Sequence, residues 1–324
     1  MLLYILKRLG LMIPMLVGIS LISFVVIHLT PGEPGALATE MNPKMTKEAR
    51  ERIRSFYGLD KPLYVQYYEW AKRMAKLDFG RSFSSDSRPV VDKIKERLPI
   101  TISLNILSMV VILAVGIPIG IYGARYRDTW VDKSLTAFVL AGYAVPTFWI
   151  ALLFMLLFGV QLDILPISGI KSFNFEELSA PQKVLDVTSH LVLPVFIAAT
   201  GGLAGISRYM KSSLVEVLRQ DYITTAYAKG LPEKMILRKH ALRNALLPVI
   251  TILGLAVPGL IGGSVIFESI FGIPGMGQLF YMSVMSRDYP TIMGVLVMGG
   301  FLTLLGNLLA DISYAVADPR IRIG

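Results

Sequence analysis

The 324-residue sequence contains no cysteine and only three histidines, and 17% of its residues are charged. Absence of cysteine excludes disulfides, thiol nucleophiles and thiolate metal sites together. His28, His190 and His240 are too scattered to form a ligand cluster. No stretch has the phosphate-cradling pattern of two glycines followed by Lys and Ser or Thr, so nucleotide hydrolysis by this chain is not expected. Acidic and basic residues are also missing from the middle of every long apolar run, whereas buried charge is the usual mark of a proton or ion relay.

What is present is apolar: 54% of the residues are hydrophobic, too many for a soluble protein of this length. Stretches free of Asp, Glu, Lys and Arg run from Leu9 to Gly32, Leu98 to Ala124, Ser134 to Leu162, Val187 to Ser207, Asn244 to Phe267 and Tyr289 to Ala310. Each reaches the roughly 20 residues needed to cross a hydrocarbon core, and the first is about twice the length of a cleaved signal's apolar region. The expectation is an all-α integral membrane protein with six spans. They fall at about 9–30, 99–124, 134–161, 187–207, 246–267 and 289–310, with a large segment at 31–98 and a helical loop at 208–245. Pro14, Gly116, Pro118, Gly142, Pro146, Pro194, Gly254 and Pro258 mark expected kinks.

An even number of spans puts both termini on one side. Fifteen basic residues, from Lys7 and Arg8 through Arg208, Lys229 and Arg243 to Arg322, belong to the set of connections on that side, against Lys171, Lys183 and Arg287 in the short loops opposite. Basic residues in short loops stay cytoplasmic, so both termini are expected inside the cell. The 31–98 segment is basic too, but loops longer than about 60 residues are translocated largely regardless of charge. The net charge of +9 then reflects topology, with no folded domain for nucleic-acid binding.

The extracytoplasmic segment reads as two amphipathic helices. One runs from Lys47 to Tyr57 between Thr46 as N-cap and Gly58 as stop; the other carries Leu63, Tyr67, Trp70, Met74 and Leu77 on one face, against lipid or the protein's own rim. It is a membrane-resting cap or a docking surface for a substrate-delivery protein. The 208–245 loop reads as a helix from Ser213 through Lys229, a stop at Gly230, and a second helix opened by Pro232 and Glu233 that reaches about Asn244. Ala226, Ala228 and Gly230 are small, so a partner could approach the backbone there.

Glu268, between Phe267 and Phe271 at the outer end of the fifth span, is the acidic residue placed to face a translocation path and attract a substrate ammonium group. The alternative is a water-solvated rim residue. The run from Gly272 to Gly277 is glycine-rich, but with no preceding strand and no following Lys it reads as a turn.

These residues resemble the first of two permease subunits in the dipeptide and oligopeptide family of ABC importers. The similarity runs end to end, through Leu29-Thr30-Pro31-Gly32-Glu33-Pro34, Arg97-Leu98-Pro99, Pro146-Thr147-Phe148-Trp149, Leu165-Pro166-Ile167-Ser168-Gly169, Pro274-Gly275-Met276-Gly277, Arg287-Asp288-Tyr289-Pro290 and Asp318-Pro319-Arg320. Asp221-Tyr222-Ile223-Thr224-Thr225-Ala226-Tyr227-Ala228-Lys229-Gly230-Leu231 resembles the importer coupling segment. Within it Asp221, Tyr222, Thr225, Ala226, Ala228, Lys229, Gly230 and Leu231 are the expected ATPase contacts. Thr224-Thr225-Ala226 stands where importers generally have Glu-Ala-Ala, a departure shared by the peptide branch.

The resemblance implies a multi-pass permease of a prokaryotic cytoplasmic membrane, not itself an enzyme and holding no cofactor, because ATP and Mg bind partner subunits. Implied partners are a second homologous permease forming a heterodimer, two cytoplasmic ATPases, an extracytoplasmic binding protein and a peptide substrate. Importers of nickel, glutathione or other small ligands in the same family, and a stand-alone ion-coupled carrier, are the alternatives.

Overall fold

The structure, a computed structural model, describes residues 2–29, 51, 55, 58 and 60–317, with side chains among these from residue 4 to residue 312. The first expected amphipathic helix, at Lys47 to Tyr57, lies almost wholly outside the described residues, as does the Asp318-Pro319-Arg320 run. Gly58, its expected stop, takes a left-handed φ of +68°.

The helices, in chain order, are α1 (Leu2–Leu29), α2 (Leu63–Met74), α3 (Val90–Arg125), α4 (Trp130–Ala144) and α5 (Thr147–Phe154, continued by a π-helical Met155–Gln161). Then come α6 (Ala180–Leu218), α7 (Asp221–Ala228), α8 (Leu247–Ala256), α9 (Val265–Ile270), α10 (Met276–Met285) and α11 (Tyr289–Ala317). Between α7 and α8 the chain stays helical as Glu233–Met235, a π-turn at Ile236–Ala241, and Leu242–Ala245. No strand occurs among the described residues beyond an isolated bridge of Arg81 to Pro89.

Five helical stretches, 4–29, 90–125, 180–218, 233–260 and 289–312, are long and apolar enough to cross a bilayer. The expected third span is not straight. It is α4 and α5, bent by 95°, and the pair makes a sixth crossing if counted as one. The cause is Pro146, whose ring disfavours the helical region for the preceding residue; Val145 accordingly sits at φ −85°, ψ 132°. The expected fifth span also breaks early: it stops at Leu260, Ile261 to Ser264 are non-helical, and α9 begins at Val265.

The central packing is α3 against α6. Lipid tails are as apolar as Leu, so helices associate in a bilayer by close packing, and small residues let backbones approach. Gly116 and Gly120 do this on α3: a Cβ at Gly120 would stand 2.6 Å from Met210 Cβ and 2.6 Å from the Ser207 carbonyl oxygen. Met210 and Leu214 are fully buried there with Ile223, Ile236 and Val249. Helix α1 packs on α11, where the Tyr4 hydroxyl donates to Asp311 at 2.8 Å and Arg8 pairs with the same carboxylate at 3.0 Å. At the other end of these helices the rings of His28 and Tyr289 meet at 5.4 Å.

Helix α2 lies against α1: Tyr67 shares a 3.0 Å hydrogen bond with Ser20, contacts Phe24 edge-on and stacks on Trp70. The apolar stripe is shorter than expected, because the helix ends at Met74, Leu77 takes φ +60°, and both Leu63 and Leu77 are exposed.

Candidate functional site

Two regions gather the residues singled out in the sequence, one at each end of the bundle. At the end carrying Arg125 and Lys211, α6 stops at Leu218, Arg219 and Gln220 form a break, and α7 starts at Asp221. The helix expected from Ser213 through Lys229 is therefore two. At the far end of α7, the Gly230 N–H bonds to the Tyr227 carbonyl at 2.9 Å and the Leu231 N–H to the Ala226 carbonyl at 3.3 Å. This paired closure needs a left-handed residue after the helix, and Gly230 supplies it at φ +74°.

Ile223 and Ala226 bury one face of α7 among Ile236, Ala241 and Ala245, and the Asn244 amide donates to the Tyr222 hydroxyl at 2.8 Å. Asp221, Tyr222, Thr225, Ala228, Lys229 and Gly230 are exposed on the opposite side and turn, with Leu231 half-buried. Ala226, expected as a partner contact, is buried: its small side chain serves packing inside this chain, leaving Ala228 and Gly230 as the small residues open to a partner.

The neighbouring surface is tied by ions. Lys211 on α6 pairs with the buried Asp132 at 2.5 Å, and Asp132 accepts the Asp128 N–H at 3.0 Å, fixing the α3–α4 turn to α6. Arg125 pairs with Glu233 at 3.2 Å. A groove of about 610 Å³ opens beside these groups between α3, α4 and α6.

At the other end lies Glu268. It is 1% exposed, so it is neither a solvated rim residue nor open to a path beside the chain. The Thr101 hydroxyl donates to its Oε1 at 3.0 Å and the Gln278 N–H to its Oε2 at 3.0 Å, while the Met276 N–H donates to Thr101 at 2.8 Å. The carboxylate thus sits at the start of α10, where unpaired N–H groups and the helix dipole favour negative charge. Its glycines make room. A Cβ at Gly275 would lie 2.5 Å from both Glu268 Oε2 and Thr101 Oγ1, and one at Gly277 2.6 Å from the Ser264 carbonyl carbon. The glycine-rich turn is therefore a cradle for the protein's own carboxylate.

Asp288 forms a second buried node. It accepts from Ser82, from the Phe83 N–H at 2.8 Å and from Thr291 at 2.6 Å, strapping the 82–88 loop to the start of α11. Lys93 reaches the same loop, 2.8 Å from Ser82 and 2.8 Å from Asp86. Burial pushes the Asp86 carboxyl up, but hydrogen bonds from Lys93, Ser84 and the Arg88 N–H outweigh it and hold the group at about 2. Nothing in the sequence alone marks the roles of Ser82 and Asp288, whereas Thr101 and Asn105 stand out as polar residues inside the charge-free run from Leu98 to Ala124.

The description "Binding-protein-dependent transport system inner membrane component" fits residues 116–323, and its N-terminal counterpart fits 1–105. The chain belongs to this family. It is 43% identical over 318 residues to the oligopeptide transport system permease protein AppB of Bacillus subtilis, with 98% of each chain covered. The dipeptide transport system permease protein DppB of Escherichia coli is 35% identical over 338 residues, with 99% of each covered. The fold is similar to a chain of the MetNI methionine ABC transporter, in an inward-facing crystal form, at a TM-score of 0.56 and 17% identity, covering 72% of this chain and 99% of that one. The protein is thus a multi-pass transport permease, and its family places the system in the inner membrane.

Proposed function

We propose that this chain is one of two pore-forming subunits of an ATP-driven peptide importer, with both termini and α7 on the cytoplasmic side. The observation that carries the reading is the end-to-end match to a binding-protein-dependent permease family whose similar members are named for oligopeptide and dipeptide transport. The exposed face of α7 supports it: a short helix braced by Ile223 and Ala226 and closed rigidly at Gly230 can transmit a push to α6 and α8 without folding away. In this reading two ATPases dock on Asp221, Tyr222, Thr225, Ala228, Lys229 and Gly230. A second, related permease completes the path, and a binding protein delivers peptide from outside. ATP binding draws the coupling helices together and rocks the spans between inward- and outward-open states.

The test is uptake of labelled tri-alanine by proteoliposomes containing the chain, its partner permease, both ATPases and the binding protein. ATP-dependent accumulation is expected, together with loss of ATPase retention in an Ala228→Trp variant. Accumulation without ATPases overturns the reading, and transport of nickel or glutathione in place of peptide redirects it to those ligands.

A further inference from the structure

The break at Ile261 to Ser264 lies at membrane depth. Its anchor is Asn105 on α3, whose amide donates to the Leu260 carbonyl at 2.8 Å and to the Gly262 carbonyl at 3.1 Å. At 1.5 Å per residue Asn105 stands about 12 Å inside Arg97, the last charge at that end of α3, and about 30 Å from Arg125 at the other end. The stretch is also backed rigidly. Gly306 of α11 meets Pro258 backbone on one side, and a Cβ at Gly263 would fall 2.2 Å from the Gly277 nitrogen on the other.

Asn105 satisfies only carbonyls. The N–H groups of Gly262 and Gly263 and the Gly263 carbonyl take part in no hydrogen bond within the described chain, and Gly262, Gly263 and Ser264 are exposed. Unpaired backbone cannot face hydrocarbon, where each such group costs several kcal/mol; it survives at this depth only inside protein or along a water-filled cavity.

We propose that Gly262, Gly263 and Ser264 line the translocation path and that the free backbone groups of Gly262 and Gly263 hydrogen-bond the main chain of the passing peptide. Adjacent free donors and an acceptor match the donor and acceptor that every non-proline peptide unit carries, so contact is indifferent to side-chain identity. Two glycines and one serine also form no side-chain pocket that could select one residue over another. The proposal rests on the peptide-importer reading above and adds the place where that substrate touches this chain.

The cysteine-free sequence makes the test direct. Gly262 tolerates a side chain, since its nearest neighbour to a Cβ would be the Gly259 carbonyl oxygen at 3.7 Å, whereas Gly263 does not. Gly262→Cys and Ser264→Cys are introduced into the complete importer in proteoliposomes and probed with a membrane-impermeant maleimide. Ile22→Cys on the exposed face of α1 is the lipid-facing control, and Ser87→Cys the water-exposed one. Expected is labelling of the Gly262→Cys and Ser264→Cys variants but not of Ile22→Cys, slowed about tenfold by tri-alanine at ten times its Kd, as occupancy predicts. Two results overturn the proposal while parent uptake persists: thiols introduced at Gly262 and Ser264 that stay silent while the one introduced at Ser87 reacts, or labelling that peptide does not slow. Failure of ATP-driven uptake by the parent complex overturns the importer reading as well.

Discussion

Thr101 and Glu268 stand 167 residues apart in sequence and share a 3.0 Å hydrogen bond between fully buried side chains. Thr101 donates to the carboxylate and accepts from Met276, so one hydroxyl joins the third helix, the ninth and the start of the tenth. Replacing Glu268 by Gln points an amide N–H at one of two donors, Thr101 or the Gln278 N–H. An unsatisfied buried donor costs about 1–3 kcal/mol. Lower thermal stability of purified Glu268→Gln, with unchanged preference between cationic and neutral peptides, is the expected pair of results. A changed charge preference without loss of stability would return Glu268 to the path.

Glycines of the α3–α6 interface should divide sharply. Gly120→Ala is expected to destabilise by about 1–3 kcal/mol through overpacking against Met210 and the Ser207 carbonyl. Gly205, on α6 with nothing within 4 Å of a built Cβ, should accept Ala with no loss and a gain of up to about 1 kcal/mol. Thermal unfolding in detergent separates the two, and similar effects at both sites would refute the interface described.

Asn105 supplies two N–H donors to the broken fifth span. Asn105→Leu removes both, and Asn105→Asp offers acceptors where donors are needed. Each should lower stability by about 1–3 kcal/mol. If both unfold at the parent temperature, the carbonyls of Leu260 and Gly262 do not depend on Asn105.

Asp288→Ala releases Ser82, the Phe83 N–H and Thr291 together. Trypsin should then cut faster at Arg81, at the start of the strapped loop, while cleavage at Arg219 stays unchanged; Arg88 is followed by Pro89 and is not a tryptic site. Equal rates at Arg81 in variant and parent would dismiss the strap.

The same loop should loosen in acid. Asp86 is held at about 2 against an ordinary 3.8, so its contribution is present above pH 4 and is lost as pH falls toward 2. Asp86 is partly exposed, and solvent screening keeps the effect below about 1 kcal/mol. Hydrogen exchange of residues 82–88, corrected for the intrinsic rate at each pH, should rise from pH 4 to pH 2 in the parent and change little in Asp86→Asn. An unchanged parent would show that the Lys93 pair does not hold the loop.

Much of the protein was legible in the sequence. Charge-free runs located the membrane crossings because a charged side chain in hydrocarbon costs several kcal/mol, a one-dimensional constraint that leaves its mark residue by residue. Gly230 as a helix stop and Pro232 as the next start were readable for a similar reason, since φ preference and a missing N–H belong to single residues. Tertiary structure decided the rest. The bend at Val145 and Pro146, the break after Leu260, and the burial of Ala226 depend on what lies across the helix, which periodicity does not carry. Glu268 shows the limit best. Its sequence neighbours are aromatic and its position is near a span end, yet its surroundings are Thr101, Gly275 and Gln278, brought together only when three helices close around one carboxylate.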